Sequence, residues 1–570
     1  MNATPKPAAS SRGGDWRLFI PKSISVIGLE GYRFADLRAD ALAGLTVAIV
    51  ALPLAMAIAI ASGATPATGI VTAIVAGFLI SALGGSRFQI GGPTGAFIVV
   101  VYGVIHAYGL DGLLLATMMA GAILIAAGLM RLGTWIKYIP EPVVTGFTAG
   151  IAMIIFASQV RDFLGLSMTE VPADFLHKLA AFWDARASLS PTALLLAAGS
   201  LGTILAVQRF APKLPGFLIA VVGASLVALL LHLPVETIGS RFGSVPTSLP
   251  MPHLPQGITL ARMQELMPSA FTIAFLAGVE SLLSAMVADG MTGRRHRSNC
   301  ELVAQGVANL ASPLFGGLCA TGAIARTATS IRAGARSPAA GMFHAAFLLV
   351  FMLGAGSLMA YVPLAALAAV LVVVAWNMSE QERFRALLAG PRGDGAVLLV
   401  TFGLTVLVDL TVAIEVGVVL AAIIFMHRMA EASAVEKGVS LIERDQDDFS
   451  NGREAYDARA ELPKGVEVFT LRGPLFFGAA SRLSDALDAA IPPPKAFILR
   501  FRDVPLVDAS GVTALERFLK RCAGHGAAVI LCELQPRARS VLAAMGVLAR
   551  VTEAESYDAA LARARQAAAR

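Results

Sequence analysis

The sequence predicts an α-helical membrane protein of about fourteen segments, arranged as a 7+7 inverted repeat with two half-helices, followed by a cytosolic α/β domain. Three observations predict it. Hydrophobic residues make up 56% of the chain and charged residues only 15%, whereas soluble proteins carry about 25% charged residues and need them to cover their surface. Apolar segments follow one another from about residue 40 to about residue 430, and a helix needs roughly 20 apolar residues to cross the hydrocarbon. Two short glycine-rich interruptions recur at matching places in the two halves of that run.

The first forty residues hold Lys6, Arg12, Arg17, Lys22, Arg33 and Arg38 without a short apolar stretch, so residues 1–39 read as a cytoplasmic tail and not as a cleaved signal peptide. Spans are expected near 40–62, 68–83, 112–131, 142–164, 190–208, 216–232, 267–289, 301–318, 338–361, 364–379, 396–411 and 412–430. Two interrupted segments complete the set, near 93–107 after Gly92-Pro93-Thr94-Gly95 and near 323–333 after Gly322. Basic residues cluster at alternate turns: Arg131 with Lys137, Arg209 with Lys213, Arg294 with Arg295 and Arg297, Arg332 with Arg336, and Arg383 with Arg385. By the positive-inside rule those turns are cytoplasmic, and an even number of spans puts both termini on that side. The net charge of +6 therefore reads as topology, not as a nucleic-acid surface.

Gly84-Gly85 precedes IGGPTGAF, and Gly316-Gly317 precedes ATGAIART at a similar distance. Each echo falls at the third segment of a run of seven. Seven is odd, so the second copy is inverted in the membrane relative to the first, the pattern that marks a transporter site. Beyond 430, residues 431–465 are polar and mixed in charge and read as a linker. Residues 466–570 read as a soluble domain, with strands at 466–471, 497–501 and 527–531 and a helix at 510–522.

Two half-helices aimed at one another form an anion pocket from backbone N–H groups and helix dipoles alone. Gly91, Gly92 and Gly95 permit close approach, Pro93 suits a first turn, and Thr94 offers a hydroxyl. On the other side Gly322, Ala323, Ala325 and Thr327 keep the entrance small. Arg326 at membrane depth is costly, hence functional by default as an anion attractor, unless it snorkels or pairs. Glu280, in FLAGVESLLSAMVADG, is either a proton-exchanging group or the static partner of Arg326. Pro53 frees backbone groups in mid-span, and Leu54 and Ile58 would line the pocket with an apolar wall. Cys300, Cys319, Cys522 and Cys532 lack metal-ligand spacing and read as reduced thiols. No nucleophile–base pair, phosphate loop or zinc spacing is present, so neither an enzyme nor a cofactor is expected.

The stretches LTVAIVALPLAMAIAIASG, GGSRFQIGGPTGAF, VESLLSAMVADGMTG, ELVAQGVANLASPLFGG and ATGAIARTA together resemble the sulfate permease family of anion transporters, which includes prestin. The tail resembles a STAS domain. The resemblance implies core and gate domains, an elevator-type movement, a homodimer in the lipid bilayer and a site at Leu54, Ile58, Thr94, Gly95, Ala96, Ala325, Arg326 and Thr327. It places Glu280 where sodium-coupled bicarbonate members hold an Asp. Ser510 in VDASG falls on the position phosphorylated in STAS antagonists, with a simple N-cap as its alternative. Within the family SRFQIGGPTGAF and LVVVAWNMSE are most similar to four-carbon dicarboxylate carriers. The expectation is thus proton-coupled uptake of a dicarboxylate such as succinate or fumarate across the inner membrane of a bacterium. The alternatives are a sulfate or bicarbonate carrier, an uncoupled anion channel, and a membrane-tethered signalling protein whose STAS unit binds a cytosolic partner.

Overall fold

The computed structural model describes residues 19–134, 140–168, 171–172, 174–212, 214–243, 247–408, 410–432, 434–437, 462–463, 465–476 and 494–569. Lys137, Lys213 and most of the expected linker lie outside the described residues. The chain divides into two compact units, Met1–Val418 and Val419–Arg570.

The first unit is helical. Its elements are α1 (Phe34–Ala61), α2 (Pro66–Leu83), α3 (Ile98–Leu129), α4 (Glu141–Leu164), α5 (Phe175–Asp184), α6 (Pro191–Phe210), α7 (Gly216–Leu230) and α8 (Ile238–Phe242). There follow α9 (Leu260–Thr292), α10 (Ser298–Leu314), α11 (Ile324–Arg332), α12 (Ala339–Ala355), α13 (Leu364–Met378), α14 (Gln381–Ala389), α15 (Arg392–Leu407) and α16 (Leu410–Ala432), the last of which runs past the division between the units. Among the described residues nine helices are long and apolar enough to cross a membrane on their own. α3 is two segments that meet at a kink: Gly109, at φ 73° and ψ 179°, breaks it where the sequence places the gap between 93–107 and 112–131. With that break, and α11 counted as a half-helix, fourteen segments form two sets of seven.

Three local features differ from the sequence reading. α9 begins at Leu260, seven residues before the expected span, because Thr259 caps it by accepting from the N–H of Arg262 at 3.2 Å. The stretch between the spans expected at 142–164 and 190–208 contains α5, whose ten residues are too few to register as a span. Asp174 starts it by accepting from the N–H of Leu176. α14 likewise follows α13 where only a turn is expected.

The helices sort into two bundles by packing. α1, α2, α3, α9, α10, α11 and α12 pack mainly on one another, and α4, α6, α7, α13 and α15 do the same. These are the core and gate groupings that the family resemblance implies. Exposed Leu195, Leu205, Leu226, Leu230, Val419, Ile423 and Phe425 on α6, α7 and α16 form faces that suit acyl chains, while helical geometry satisfies the backbone internally.

The second unit is a five-stranded sheet, β3 (Ala434–Lys437), β4 (Val466–Arg472), β5 (Ala496–Asp503), β6 (Ala528–Cys532) and β7 (Thr552–Ala554), in that spatial order. β3 pairs antiparallel to β4, and the others are parallel. The parallel strands bury both faces. Phe469, Phe497, Leu499 and Leu531 meet α17 (Ala509–Gly524) and α18 (Pro536–Ala544), and Val468, Ile498 and Ile530 meet α19 (Tyr557–Ala569).

Candidate anion site

The site starts from two extended glycine-bearing pieces inside the core bundle. β1 (Gly91–Gly92) and β2 (Thr321–Gly322) pair antiparallel, Gly91 opposite Gly322 and Gly92 opposite Thr321. The N–H of Ala323 donates to the carbonyl of Ile90 at 2.9 Å and closes the crossing. Glycine is required here. Gly92 sits at φ +149°, and a Cβ on it would lie 2.2 Å from Nη1 of Arg326. A Cβ on Gly322 would lie 1.6 Å from Nε2 of Gln89.

Each piece turns directly into a helix. Thr94 leads into a tight turn at Gly95–Phe97 and then α3, and Ala323 leads into α11. Among the described residues no side chain caps either start. The first-turn N–H groups and the positive dipole ends of both half-helices are thus left for a ligand.

These starts line a cavity of about 590 Å³. Of the residues singled out from sequence, Leu54, Ile58, Thr94, Gly95, Ala96, Glu280, Ala325 and Arg326 all line it. Thr327 does not. It is fully buried behind the tip, where its Oγ1 accepts from the N–H of Ile90 at 3.1 Å and lies 3.2 Å from Oγ of Ser284. One helical position separates it from Arg326, and that rotation turns it into the core. Pro53 is buried within α1, and Leu54 and Ile58 follow it on the cavity side.

Glu280 and Arg326 flank the tips. Oγ1 of Thr94 donates to Oε2 of Glu280 at 2.9 Å, and Nη2 of Arg326 donates to the carbonyl of Pro93 at 3.0 Å. Arg326 is 2% exposed, and among the described residues its Nε and Nη1 have no hydrogen-bond partner. Among the described residues no ion pair within 4 Å joins Glu280 to Arg326, so a static pair is not what holds them. A buried guanidinium with two idle donors suits an anion.

The facing wall comes from the gate bundle: Val144, Phe147, Phe217, Val374, Asn377 and Met378. The cavity runs out to Glu141, Glu380 and Arg383, where Arg383 pairs with Glu141 and, at 3.5 Å, with Glu380. Sequence reasoning took Arg383 for a topology marker alone and missed Glu141, Glu380 and Asn377, since a polar residue at a helix end looks like any interfacial one. It also missed two fully buried carboxylates outside the cavity. Asp40 accepts from Tyr32 Oη, the N–H groups of Arg336 and Ser337, and the Ser337 hydroxyl. Glu301 accepts from the N–H groups of Gly85 and Ser86. Among the described residues no group of three or more His, Cys, Asp or Glu could hold a metal ion.

In the second unit Ser510 is exposed in the first turn of α17. It is not the N-cap. Asp508 is, accepting from the N–H of Gly511 at 2.7 Å.

The model of the sulfate permease family matches residues 37–401, and that of the STAS domain matches residues 457–560. The chain belongs to the sulfate permease family. Within it, the chain is 40% identical over 533 residues to YvdB of Bacillus subtilis, named as a candidate sulfate transporter, covering 93% of this chain and 97% of that one. It is 31% identical over 544 residues to the bicarbonate transporter BicA of Synechocystis sp., covering 92% and 93%. The structure of murine solute carrier 26 family member A9, an anion transporter in the inward-facing state, superposes with a TM-score of 0.85 at 18% identity, covering 98% of this chain and 96% of that chain. That likeness shows the fold alone: a helical bundle followed by a small α/β unit. As a family member the chain is an anion transporter of the membrane. The relatives' names favour sulfate or bicarbonate over the four-carbon dicarboxylate expected from SRFQIGGPTGAF and LVVVAWNMSE.

Proposed function

We propose that this chain is a secondary active carrier that moves a small inorganic oxyanion, sulfate or bicarbonate, together with a proton across the cytoplasmic membrane of a bacterium. One observation carries the reading: two uncapped half-helix starts, which leave a shared β-paired crossing, line a single cavity with Arg326 and Glu280 beside them. A single buried guanidinium suits one compact anion better than a dicarboxylate, whose two separated charges each need a partner.

The charges argue for the proton. Glu141, Glu280 and Glu380 face Arg326 and Arg383 in the cavity, leaving one uncompensated negative charge when all are ionised. A proton on Glu280 removes it, so anion and proton favour each other's binding. Glu280 also holds the hydroxyl of Thr94, which begins a half-helix, so its protonation state reaches the anion site through one hydrogen bond. The cavity mouth lies at the end of the bundle that the basic turns assign to the cytoplasm, which makes this an inward-open arrangement with both termini inside. The core bundle meets the gate across apolar Leu54, Ile58, Phe147, Phe217 and Val374, a surface with few directional contacts to break when the core slides. A homodimer and a cytosolic partner of the STAS unit, with Ser510 as a phosphorylation site, belong to the same reading.

The test is uptake into proteoliposomes of labelled sulfate, bicarbonate and succinate, each with and without an imposed proton gradient. Sulfate or bicarbonate should accumulate against its own gradient when protons are supplied. Accumulation of succinate alone would overturn the substrate assignment, and dissipation without accumulation would make the protein a channel.

A further inference from the structure

We infer that α10 is a shared registering element for both half-helix tips, with Glu301 and Asn309 as positioning residues that set anion affinity. The inference rests on the reading that the tips hold the anion.

Glu301, Gln305, Asn309 and Ser312 are all fully buried. Their spacing of four, four and three puts them on one face of α10. A stripe of four polar side chains with no access to solvent is expensive unless each is bonded. Here the bonds go to the two interrupted segments. Oε2 of Glu301 accepts from the N–H of Gly85 at 2.9 Å and of Ser86 at 3.1 Å, on the approach to β1. Asn309 clamps Ala320, the residue before β2, with Nδ2 donating to its carbonyl and Oδ1 accepting from its N–H, both at 2.8 Å. Oγ of Ser312 donates to the carbonyl of Leu318 at 2.7 Å.

The two anchors are joined. Nε2 of Gln305 donates to Oε1 of Glu301 at 2.9 Å, and Nδ2 of Asn309 donates to the carbonyl of Gln305 at 2.8 Å. Oγ of Ser281 donates to Oε1 of Glu301 at 3.2 Å and accepts from Nε2 of Gln89 at 2.7 Å. Ser281 is the neighbour of Glu280. One hydrogen-bonded ladder therefore runs from Ser86 to Ala320 and touches the helix that carries the proposed proton site. Neither tip can change its position without straining the anchor of the other. The separation between the tips is set by α10 together with the β1–β2 pairing.

The experiment uses the full-length protein with Asn309→Asp, Glu301→Gln and the milder Ser312→Ala. Asn309→Asp keeps the acceptor for the N–H of Ala320 but loses both donated bonds. Backbone hydrogen exchange without added anion, and the half-saturating concentration and maximal rate of sulfate and bicarbonate uptake, are measured for each. Asn309→Asp should raise exchange at least tenfold both in residues 318–326 and in residues 84–94, which Asn309 does not touch. It should raise the half-saturating concentration at least tenfold with the maximal rate within threefold. Ser312→Ala should do the same by about threefold, and it decides the matter if the Asp variant does not fold. Exchange that rises only at 318–323, or a maximal rate that falls more than threefold with half-saturation unchanged, overturns the inference. A wild-type protein that carries neither anion sinks the functional reading instead, and the exchange arm still decides this one.

Discussion

Glu280→Gln removes one negative charge from the cavity and keeps its shape, because the amide oxygen still accepts the bond that Thr94 donates at 2.9 Å. The size of the effect follows from the lining. Three carboxylates against two guanidiniums leave one excess negative charge, which the substitution cancels. Two unit charges about 7 Å apart at an effective dielectric of about 20 interact by about 2.4 kcal/mol. The cavity is open at one end and screened by salt, which reduces this to about 1 kcal/mol. That is about a fivefold gain in affinity for a monoanion, and about thirtyfold for a dianion, which feels the charge twice. In proteoliposomes at pH 8, the half-saturating concentration should therefore fall about fivefold if bicarbonate is the substrate and about thirtyfold if sulfate is. Accumulation driven by a proton gradient should vanish while downhill exchange persists, and the rise of wild-type uptake with falling pH should flatten. A variant that still accumulates anion with unchanged pH dependence refutes the coupling role. A half-saturating concentration that rises refutes the electrostatic argument.

Four further outcomes follow from the packing. Gly322→Ala places a methyl group 1.6 Å from Nε2 of Gln89, breaks the Gln89–Ser281 bond and overpacks the crossing by about 1–3 kcal/mol; transport should fall more than tenfold while the protein still reaches the membrane. Asp40→Asn puts an N–H₂ among four donors at the start of α12, at about 1–3 kcal/mol, and should lower the melting temperature of the purified protein with little effect on half-saturation. Asp508→Ala removes the cap of α17 and should cost the second unit about 1 kcal/mol, read as faster hydrogen exchange in residues 509–524. Paired Glu141→Gln and Arg383→Gln at the half-exposed rim should change stability by less than about 1 kcal/mol, read as an unchanged melting temperature.

Much of the bundle was legible because glycine and proline interrupt apolar runs for reasons local to the chain. Gly92-Pro93 and Gly322 announce breaks in a helix, and the expected gap between 93–107 and 112–131 falls at Gly109, the kink of α3. Five of the cavity-lining residues, Thr94, Gly95, Ala96, Ala325 and Arg326, lie at these breaks; Leu54, Ile58 and Glu280 come instead from a proline and a carboxylate in mid-span. Thr327 was misplaced because a shift of one position along α11 reverses the face, and a half-helix is too short for periodicity to fix its rotation. Asp40 and Glu301 were not legible as buried acids. Each lies near a span end, where sequence cannot tell a solvated carboxylate from one that accepts distant backbone N–H groups. Ser510 lost its capping role for a similar reason, since Asp508, two residues earlier, offers the same chemistry and only the geometry chooses. The substrate was least legible: a site built largely of backbone N–H groups leaves few side chains to read.

The most direct measurement is anomalous diffraction from crystals of the full-length protein soaked in selenate, a heavier analogue of sulfate that is first shown to compete with uptake. A selenium peak within hydrogen-bonding reach of the N–H groups of Gly95 or Ala96 on one side and Ala325 or Arg326 on the other is the expected result. A competing selenate that sits anywhere else, with the space between the half-helix starts empty, would contradict the account.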